Sequence, residues 1–324
     1  MSKKVYKWGI IGCGDVTEVK SGPAYQKVAS FELHAVMRRN VEKAEDYAKR
    51  HNVPKFYGNA DDLINDSEID AVYIATPPDS HLEYALKVAN VGKICCIEKP
   101  MAPDYASCKK IVDTFTKLDV PLFVAYYRRS LPRFLKIKTL IDENAIGKIR
   151  HINWTYTRPP KTADLNDAYD WRTDVSIAYG GYFNDLASHG LDLFIYLLGD
   201  VIEAKGIAIN QQNLYSSKDA VVGNWLHQSG ITGSGSWNFG TDIVQDAVDI
   251  IGEKGKISFS VFKHHPIVLH KDDKQQTFEI GHPENIQLYH VKNMEKFLVH
   301  GTVHPSTGET GAHTTWVMDK ILNR

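Results

Sequence analysis

The first 125 residues alternate short apolar runs with segments of helical periodicity. Five apolar runs predict strands at Lys7–Cys13, Glu32–Met37, Ala71–Ala75, Ile94–Ile97 and Pro121–Ala125. Amphipathic spacing between them predicts helices at Val41–His51, Ser80–Val91 and Tyr105–Leu118. Strands that are apolar throughout and separated by such helices are typical of a parallel sheet covered on both faces. The pattern therefore predicts an α/β domain with a doubly wound parallel sheet over residues 1–125.

After residue 125 the pattern of apolar and polar positions changes. Helical spacing predicts one helix just after Arg133, a second at Gly181–Leu198 and a third at Gly311–Leu322. Closely spaced alternating runs, such as VIEAKGIAI and DAVDIIGEKGKISF, predict the strands of an antiparallel or mixed sheet. Residues 126–324 are thus predicted to form an α+β domain with a large, open, mostly antiparallel sheet. Alternatively, the third helix packs back on the first domain.

Composition and charge exclude several classes of protein. The 38 Lys and Arg residues nearly balance the 39 Asp and Glu residues, which argues against a surface built for nucleic acid or an anionic membrane. No run of apolar residues is long enough to span a membrane, and the apolar segment near the N-terminus is too short for a signal peptide. The adjacent Cys95 and Cys96 cannot staple distant segments, so we expect reduced thiols and a cytoplasmic location. No cluster has metal-ligand spacing, and no metal is expected.

A glycine loop follows the first predicted strand. Gly12 permits a tight turn, and Gly14 lets the backbone approach a pyrophosphate, whose charge then meets a helix N-terminus. Asp15, Val16 and Thr17 complete the loop, and Thr17 stands where a third glycine is common. An ordinary turn can have the same sequence, but the position after the first strand of an alternating pattern favours a dinucleotide site.

The end of the second predicted strand indicates which dinucleotide is bound. A carboxylate there would accept hydrogen bonds from the ribose hydroxyls of NAD and repel a 2′-phosphate. The sequence has Arg38 and Arg39 instead, whose guanidinium groups suit bidentate recognition of that phosphate. We therefore expect NADP(H) to be favoured over NAD(H); the alternative is two solvated arginines at a strand end.

A Glu-Lys-Pro triplet, Glu98 to Pro100, follows the fourth predicted strand. The carboxyl ends of strands in open α/β sheets are where ligands bind. A lysine at this point, Lys99, can reach both a nicotinamide ribose and a substrate hydroxyl, and its charge favours a developing alkoxide. A lysine that merely leaves the sheet edge, paired with Glu98, explains the triplet equally well.

Together these residues resemble the Gfo/Idh/MocA oxidoreductases, the family of glucose–fructose oxidoreductase and inositol dehydrogenase. The resemblance rests on the glycine loop, Ala75–Pro78 with His81, Glu98–Pro100, and Gly180–Asp185 with His189 and Asp192. It implies an NAD(P)-binding Rossmann domain, followed by a domain that binds substrate and forms a homodimer or homotetramer through its sheet. The implied reaction moves hydride between nicotinamide C4 and a secondary alcohol or ketone carbon of a sugar, inositol or related polyol.

The resemblance also implies a catalytic trio of Lys99, Asp185 and His189. His189 exchanges a proton with the substrate hydroxyl, Asp185 orients the substrate or the imidazole, and Lys99 holds the cofactor ribose and the substrate oxygen. Asp185 and His189 are four residues apart, hence on one face of the predicted helix. A histidine in an apolar helix is often only a buried core residue, but the aspartate one turn earlier and the lysine motif favour catalysis.

Further contacts follow from the same resemblance. The implied cofactor contacts are the glycine loop, Arg38, Arg39, Thr76, Pro77, His81, Glu98, Lys99, Arg128, Trp171 and Arg172. The implied substrate contacts are the catalytic trio with Tyr127 and Asn184. Tyr127 and Arg128 have an alternative interpretation as residues packed at a domain junction. Trp171 and Arg172 have an alternative interpretation as residues of an exposed loop.

Two other functions remain open on the sequence. A non-catalytic sensor that binds NADP would be expected to lack part of the trio, yet all three residues are present. A glycoside-cleaving enzyme with tightly bound nicotinamide would oxidise its substrate only transiently, with no net cofactor turnover. The two arginines fit NADPH-driven reduction of an aldose or ketose best.

Overall fold

The computed structural model describes residues 4–324 and divides them into two compact units. The first comprises the residues up to Leu131 together with Pro283–Ala312, and the second comprises Pro132–His282 with His313–Arg324. The predicted division at residue 125 differs from this because residues 283–312 return to the first unit. Within residues 4–324 no helix is both long and apolar enough to cross a membrane.

Six parallel strands form the sheet of the first unit, in the order β3-β2-β1-β4-β5-β6. They are β1 (Tyr6–Ile11), β2 (Phe31–Met37), β3 (Lys55–Tyr57), β4 (Ala71–Ile74), β5 (Ile94–Ile97) and β6 (Leu122–Val124). The helices are α1 (Asp15–Val19), α2 (Gly22–Gln26), α3 (Val41–Arg50), α4 (Ala60–Asn65), α5 (His81–Asn90) and α6 (Tyr105–Leu118). The predicted doubly wound parallel sheet is confirmed, and the short edge strand β3 is an addition to it.

Helix α10 (Leu288–His300) explains why the chain returns to the first unit. Its residues Val291 and Met294 are fully buried in the same apolar cluster as Trp8 and Tyr25. Burying side chains of this size contributes about 1.5–3 kcal/mol each, so the helix completes the core on this face of the sheet.

An eight-stranded sheet dominates the second unit, in the order β14-β13-β12-β11-β7-β10-β9-β8. Its strands are β7 (Ile149–Thr157), β8 (Val201–Ile209), β9 (Ala220–His227), β10 (Thr232–Asn238), β11 (Gln245–Gly252), β12 (Gly255–Phe259), β13 (Ile267–Lys271) and β14 (Lys274–Phe278). Strands β7 and β10 pair in parallel and the other neighbours pair antiparallel, which confirms the predicted mostly antiparallel sheet. The helices are α7 (Pro132–Asp142), α8 (Thr162–Leu165) and α9 (Tyr182–Leu198). A last helix, α11 (Gly308–Ile321), contains the division between the units.

Helix α9 packs directly on the ring of Trp154 in β7. A Cβ atom added at Gly190 would lie 2.3 Å from Trp154 Cζ3, so only glycine permits this approach. The indole is held in turn by a 3.0 Å hydrogen bond from its Nε1 to Asp246 and by edge contacts with Phe194 and Trp237. The rotation of α9, and therefore the face on which its polar residues lie, is set by this contact.

We predict that Gly190→Ala lowers the free energy of unfolding by about 1–3 kcal/mol, because the added methyl group must displace a buried indole. Gly281→Ala is the matched control, since a Cβ atom there meets nothing within 4 Å. Urea unfolding of both variants measures the difference. Equal stability of the two would contradict the close packing of α9 on Trp154.

Candidate active site

The glycine loop has the geometry that a close approach to a ligand requires. Gly12 has a φ of +91°, and the N–H groups of Gly12 and Cys13 donate to the carbonyl of Met37 at 2.9 and 3.1 Å. A Cβ atom at Gly12 would lie 2.8 Å from Cγ2 of Thr76, so the turn admits only glycine. At Gly14 the nearest atom to an added Cβ is 3.9 Å away, and the backbone there borders open space.

Thr17 stabilises this loop through hydrogen bonds from a buried position. Its side chain is fully buried, its hydroxyl donates to the carbonyl of Gly14 at 2.7 Å, and its own carbonyl accepts from the hydroxyl of Tyr47 at 2.8 Å. Close packing is provided by Gly22, where an added Cβ would lie 2.3 Å from the Tyr47 hydroxyl. Thr17 therefore stabilises the loop, and its cofactor contact stays a prediction. The other two loop residues, Asp15 and Val16, are exposed and half-buried respectively.

A cleft of about 380 Å³ opens beside the loop. It is lined by Gly12–Gly14, Met37–Asn40, Lys43, Ala75–Pro77 and Tyr84. Arg38, Arg39 and Lys43 supply three positive charges, and no carboxylate belongs to this lining. Arg38 Nη1 lies 3.4 Å from the carbonyl of Cys13, which keeps its guanidinium next to the loop. The cleft thus combines exposed backbone with a positive end, as a phosphorylated nucleotide requires.

His81 joins the turns that follow β4 and β5. Its ring nitrogens lie 2.7 Å from the carbonyl of Thr76 and 3.2 Å from that of Pro100, and the residue is fully buried. Burial lowers the pKa of His81. These contacts show that His81 holds the two turns together, and its implied cofactor contact stays a prediction. Thr76 and Pro77, which it holds, line the cleft.

Glu98 is a buried carboxylate that holds the residues around it. One oxygen accepts from the Tyr73 hydroxyl at 2.5 Å and from Gln287 Nε2 at 2.6 Å, and the other accepts from the backbone N–H of Lys99 at 3.0 Å. Lys99 itself is half-buried at the carboxyl end of β5, where the sequence predicts it. Glu98 therefore anchors the backbone of Lys99, and its implied cofactor contact stays a prediction.

Tyr127 and Arg128 lie in a short 3-10 turn, Tyr127–Ser130. The guanidinium carbon of Arg128 lies 5.0 Å from the centre of the Tyr127 ring, and Arg128 is buried. The tyrosine is half-buried. Both residues belong to the first unit.

In the second unit, helix α9 carries the predicted polar residues. Asp185 and His189 are 8% and 5% exposed, so a ligand would meet them in a largely dry environment. The His189 ring is edge-on to Phe262 at 5.7 Å. Asn184 Oδ1 accepts from the N–H of Gly180 at 2.6 Å, which ties the predicted substrate contact to the turn before the helix. One turn beyond His189, Asp192 accepts from the hydroxyl of Thr314 at 3.1 Å.

Arg172 is paired with Asp185. Its Nε lies 2.6 Å from Asp185 Oδ2, its Nη1 lies 3.3 Å from Asp170 Oδ1, and its guanidinium carbon lies 4.3 Å from the centre of the Trp171 ring. Burial alone would lower the pKa of Arg172, but the charges of Asp185 and Asp170 outweigh it and raise that pKa. The structure thus shows protein partners for Arg172, and its implied cofactor contact stays a prediction.

Several residues of these two groups escape sequence reasoning. Lys43 enters the cleft because Asn40 caps α3 and accepts from the N–H of Lys43 at 2.9 Å, a cap that the sequence could have indicated. Gln287 and Asp170 belong to no sequence motif. Gln287 bonds to Glu98, which is distant in the chain, and Asp170 bonds to Arg172 within a loop. Within residues 4–324 no group of three or more His, Cys, Asp or Glu side chains is arranged to hold a metal ion.

Comparisons with known proteins identify the family. The model described as "Oxidoreductase family, NAD-binding Rossmann fold" matches residues 6–126, and that of the GFO/IDH/MocA C-terminal domain matches residues 134–258. Oxidoreductase P35 of Formosa agariphila is 41% identical over 96% of this chain and 97% of its own length. Levoglucosan dehydrogenase of Pseudarthrobacter phenanthrenivorans is 30% identical, over 64% of this chain and 49% of its own. Myo-inositol 2-dehydrogenase of Thermotoga maritima is 24% identical over 81% of this chain and 77% of its own length.

Solved structures show the same fold over the whole chain. A levoglucosan dehydrogenase in complex with NADH matches with a TM-score of 0.88 at 24% identity, covering 98% of this chain and 96% of its own. An NAD-binding oxidoreductase from Klebsiella pneumoniae matches with a TM-score of 0.88 at 20% identity, with the same coverage. The resemblance noted in the sequence is therefore confirmed, and the chain belongs to the Gfo/Idh/MocA family of oxidoreductases, with an NAD-binding Rossmann fold.

Proposed function

We propose that this oxidoreductase transfers hydride between a nicotinamide dinucleotide and a secondary alcohol or ketone carbon of a sugar, inositol or related polyol. The observation that carries the proposal is the pair of buried polar residues on α9, Asp185 and His189, on a helix whose rotation is set by Trp154. The names of two relatives, levoglucosan dehydrogenase and myo-inositol 2-dehydrogenase, support the substrate class.

A nicotinamide dinucleotide fits the first unit on two observations. The backbone at Gly14 borders open space, and the adjoining cleft is positively charged. When bound, the nicotinamide supplies the hydride acceptor or donor. In this proposal Lys99 binds the substrate oxygen with its ammonium group, which stabilises negative charge on that oxygen. His189 takes the hydroxyl proton during oxidation and returns it during reduction.

A polar cavity beside residues 164–174 of the second unit favours a substrate rich in hydroxyl groups. A cavity of about 360 Å³ is lined there by Asp164, Asp167, Asp170, Thr173, Tyr215 and Ser216, among others. Carboxylates accept hydrogen bonds from hydroxyls, and the hydroxyl side chains both donate and accept. Such groups suit a polyol, whose many hydroxyls must exchange water for protein partners, although Asp185 and His189 are not among the residues that line this cavity.

The charges of the cleft support a preference for NADP(H). The 2′-phosphate is the feature that distinguishes NADP from NAD, and Arg38, Arg39 and Lys43 each offer it a charged donor. A hydrogen bond to a charged group contributes about 1.5–3 kcal/mol, so losing one contact should weaken binding about tenfold or more.

The open sheet supports assembly with a second copy of the chain. Ile207 and Val222 lie opposite each other in β8 and β9 and are 64% and 49% exposed. Ser236 of β10 and Thr155 of β7 continue the same row across the sheet. Exposed apolar residues bordered by small polar ones are typical of an interface, and we infer a homodimer or homotetramer formed through this face.

We expect Lys99→Met and His189→Ala each to lower kcat by at least about 100-fold, because each removes a group that acts on the reacting oxygen. Cofactor binding should change little in His189→Ala. Assays with NADPH and NADP+ against a panel of sugars and polyols measure both effects. Lys110→Met and His265→Ala, at exposed positions, are the matched controls. Full activity of both catalytic variants would refute the proposed trio.

For the cofactor, we predict that NADPH binds more tightly than NADH and that Lys43→Gln weakens NADPH binding by about tenfold while leaving NADH binding unchanged. Arg38→Asp should narrow or reverse the preference, since a carboxylate repels the 2′-phosphate. Lys49→Gln is the control, because Lys49 lies on the same helix but outside the cleft. Fluorescence titration measures these affinities. Equal affinity of the unmodified protein for the two cofactors would be incompatible with the phosphate site.

For the assembly, we predict a mass in solution of two or four chains, measured by light scattering coupled to size-exclusion chromatography. Val222→Glu should shift the protein toward the mass of one chain, because it places a charge in the centre of an apolar contact. Val303→Glu, which changes an exposed valine of the first unit, should leave the mass unaltered. A monomeric unmodified protein would rule out the sheet as an interface.

A further inference from the structure

We propose that Arg172 is a positioning residue that holds Asp185 in its working orientation through a chain of charges anchored in the loop of residues 158–174. The inference rests on the proposed function, because it assigns to Asp185 a part in that reaction. It is an alternative to the cofactor contact that the sequence resemblance implies for Arg172.

The central contact is an ion pair in a largely water-excluded place. The side chain of Asp185 is 11% exposed and that of Arg172 is 30% exposed, with 2.6 Å between Nε and Oδ2. A guanidinium is planar and presents its donors in a fixed fork, so the position of Arg172 restricts where the Asp185 carboxylate can lie. Loss of this partner would remove one restraint on the side-chain rotamer of Asp185.

A second carboxylate holds the other side of the guanidinium. Asp170 Oδ1 accepts from the backbone N–H of Arg172 at 3.1 Å and lies 3.3 Å from its Nη1. Asp170 Oδ2 in turn lies 3.3 Å from the ammonium nitrogen of Lys161. The charges therefore alternate along the series Lys161, Asp170, Arg172 and Asp185, and the two inner groups, Asp170 and Arg172, each have an oppositely charged neighbour on both sides.

The loop that carries this series is itself tied to helix α9. The hydroxyl of Tyr182 donates to Asp164 at 2.6 Å, and the other oxygen of Asp164 accepts from the backbone N–H of Lys161 at 2.8 Å. The guanidinium of Arg158 and the ammonium of Lys161 lie 4.2 and 4.4 Å from the centre of the Tyr182 ring. Tyr182 and Asp185 are three residues apart, hence neighbours on one face of α9.

Two anchors on one helical face give the loop a defined register relative to the helix. The first anchor, the hydrogen bond from Tyr182 to Asp164, fixes the start of the loop. The second anchor is the ion pair of Asp185 with the guanidinium of Arg172. Because a misplacement of about 1 Å can cost about 100-fold in rate, a residue that holds a catalytic carboxylate can affect turnover without touching substrate. The geometry thus predicts an effect of Arg172 on kcat that passes through Asp185.

The test compares Arg172→Gln, Arg172→Lys, Asp170→Asn, Asp185→Asn and the double variant Arg172→Gln with Asp185→Asn. We expect Arg172→Gln to lower kcat about 10- to 100-fold while the Kd for NADPH stays within about twofold. Arg172→Lys should recover part of the loss because it keeps the charge, and Asp170→Asn should show a smaller loss. Arg150→Gln, which removes an exposed ion pair with Glu253 in the same unit, is the control and should leave kcat unchanged.

The double variant is decisive. If Arg172 acts through Asp185, the double variant is no slower than Asp185→Asn alone, because the second substitution has nothing left to disturb. Additive losses would overturn the proposal, as would a loss of NADPH affinity of tenfold or more in Arg172→Gln with kcat retained, since that result indicates a cofactor contact.

A failure of the proposed function has a different signature. If the unmodified protein oxidises or reduces no sugar or polyol, the positioning role falls together with the proposed reaction. The ion pair can still be tested in that case, because the unfolding midpoints of the single and double variants are non-additive where the two side chains interact. Loss of turnover in Asp185→Asn together with full turnover in Arg172→Gln would overturn the positioning role alone.

Discussion

The rotation of helix α9 about its own axis determines which residues the second unit presents, and the contact between Gly190 and Trp154 sets that rotation. At about 100° per residue, residues four apart lie on nearly the same side of an α-helix. A rotation of α9 would therefore move Asp185 and His189 away from their present face together. The indole resists such a change, because Asp246 accepts a hydrogen bond from its N–H and Phe194 packs against its edge. The chemistry proposed for the second unit therefore depends on a packing contact that contains no reactive group.

Buried carboxylates have two different environments in this protein. Glu98, Asp164 and Asp246 accept hydrogen bonds from hydroxyl, amide, indole or backbone N–H donors, and they hold turns and strands together. Asp185, by contrast, is paired with the guanidinium of Arg172. A buried charge must be compensated in either case. At Glu98, Asp164 and Asp246 neutral donors contribute to this compensation, whereas at Asp185 a guanidinium carried by a loop contributes.

Sequence reasoning predicts the repeating elements well and the long-range partners poorly. The five apolar runs predict the central strands because a strand buried on both faces is apolar throughout. Strand β3 (Lys55–Tyr57) is missed because it is three residues long and lies at the sheet edge. The return of residues 283–312 is missed because the apolar face of α10 shows that the helix is buried, but not which core it joins.

The same distinction applies to the site. The position of Lys99 follows from its place after a buried strand, and the common face of Asp185 and His189 follows from their spacing. The motif residues His81 and Glu98 are predicted to contact the cofactor, and the structure adds hydrogen bonds to the protein that their motifs do not reveal. A motif marks where a residue stands in the chain, whereas burial and hydrogen-bond partners depend on elements that are distant in sequence.

The most direct measurement is a crystal structure of the protein with a bound nicotinamide dinucleotide and a polyol that it turns over. We predict that the ammonium of Lys99 and a ring nitrogen of His189 both lie about 2.6–3.2 Å from the same substrate oxygen, next to C4 of the nicotinamide. If the two groups instead border separate cavities, or only one of them reaches the substrate, the proposed reaction is contradicted.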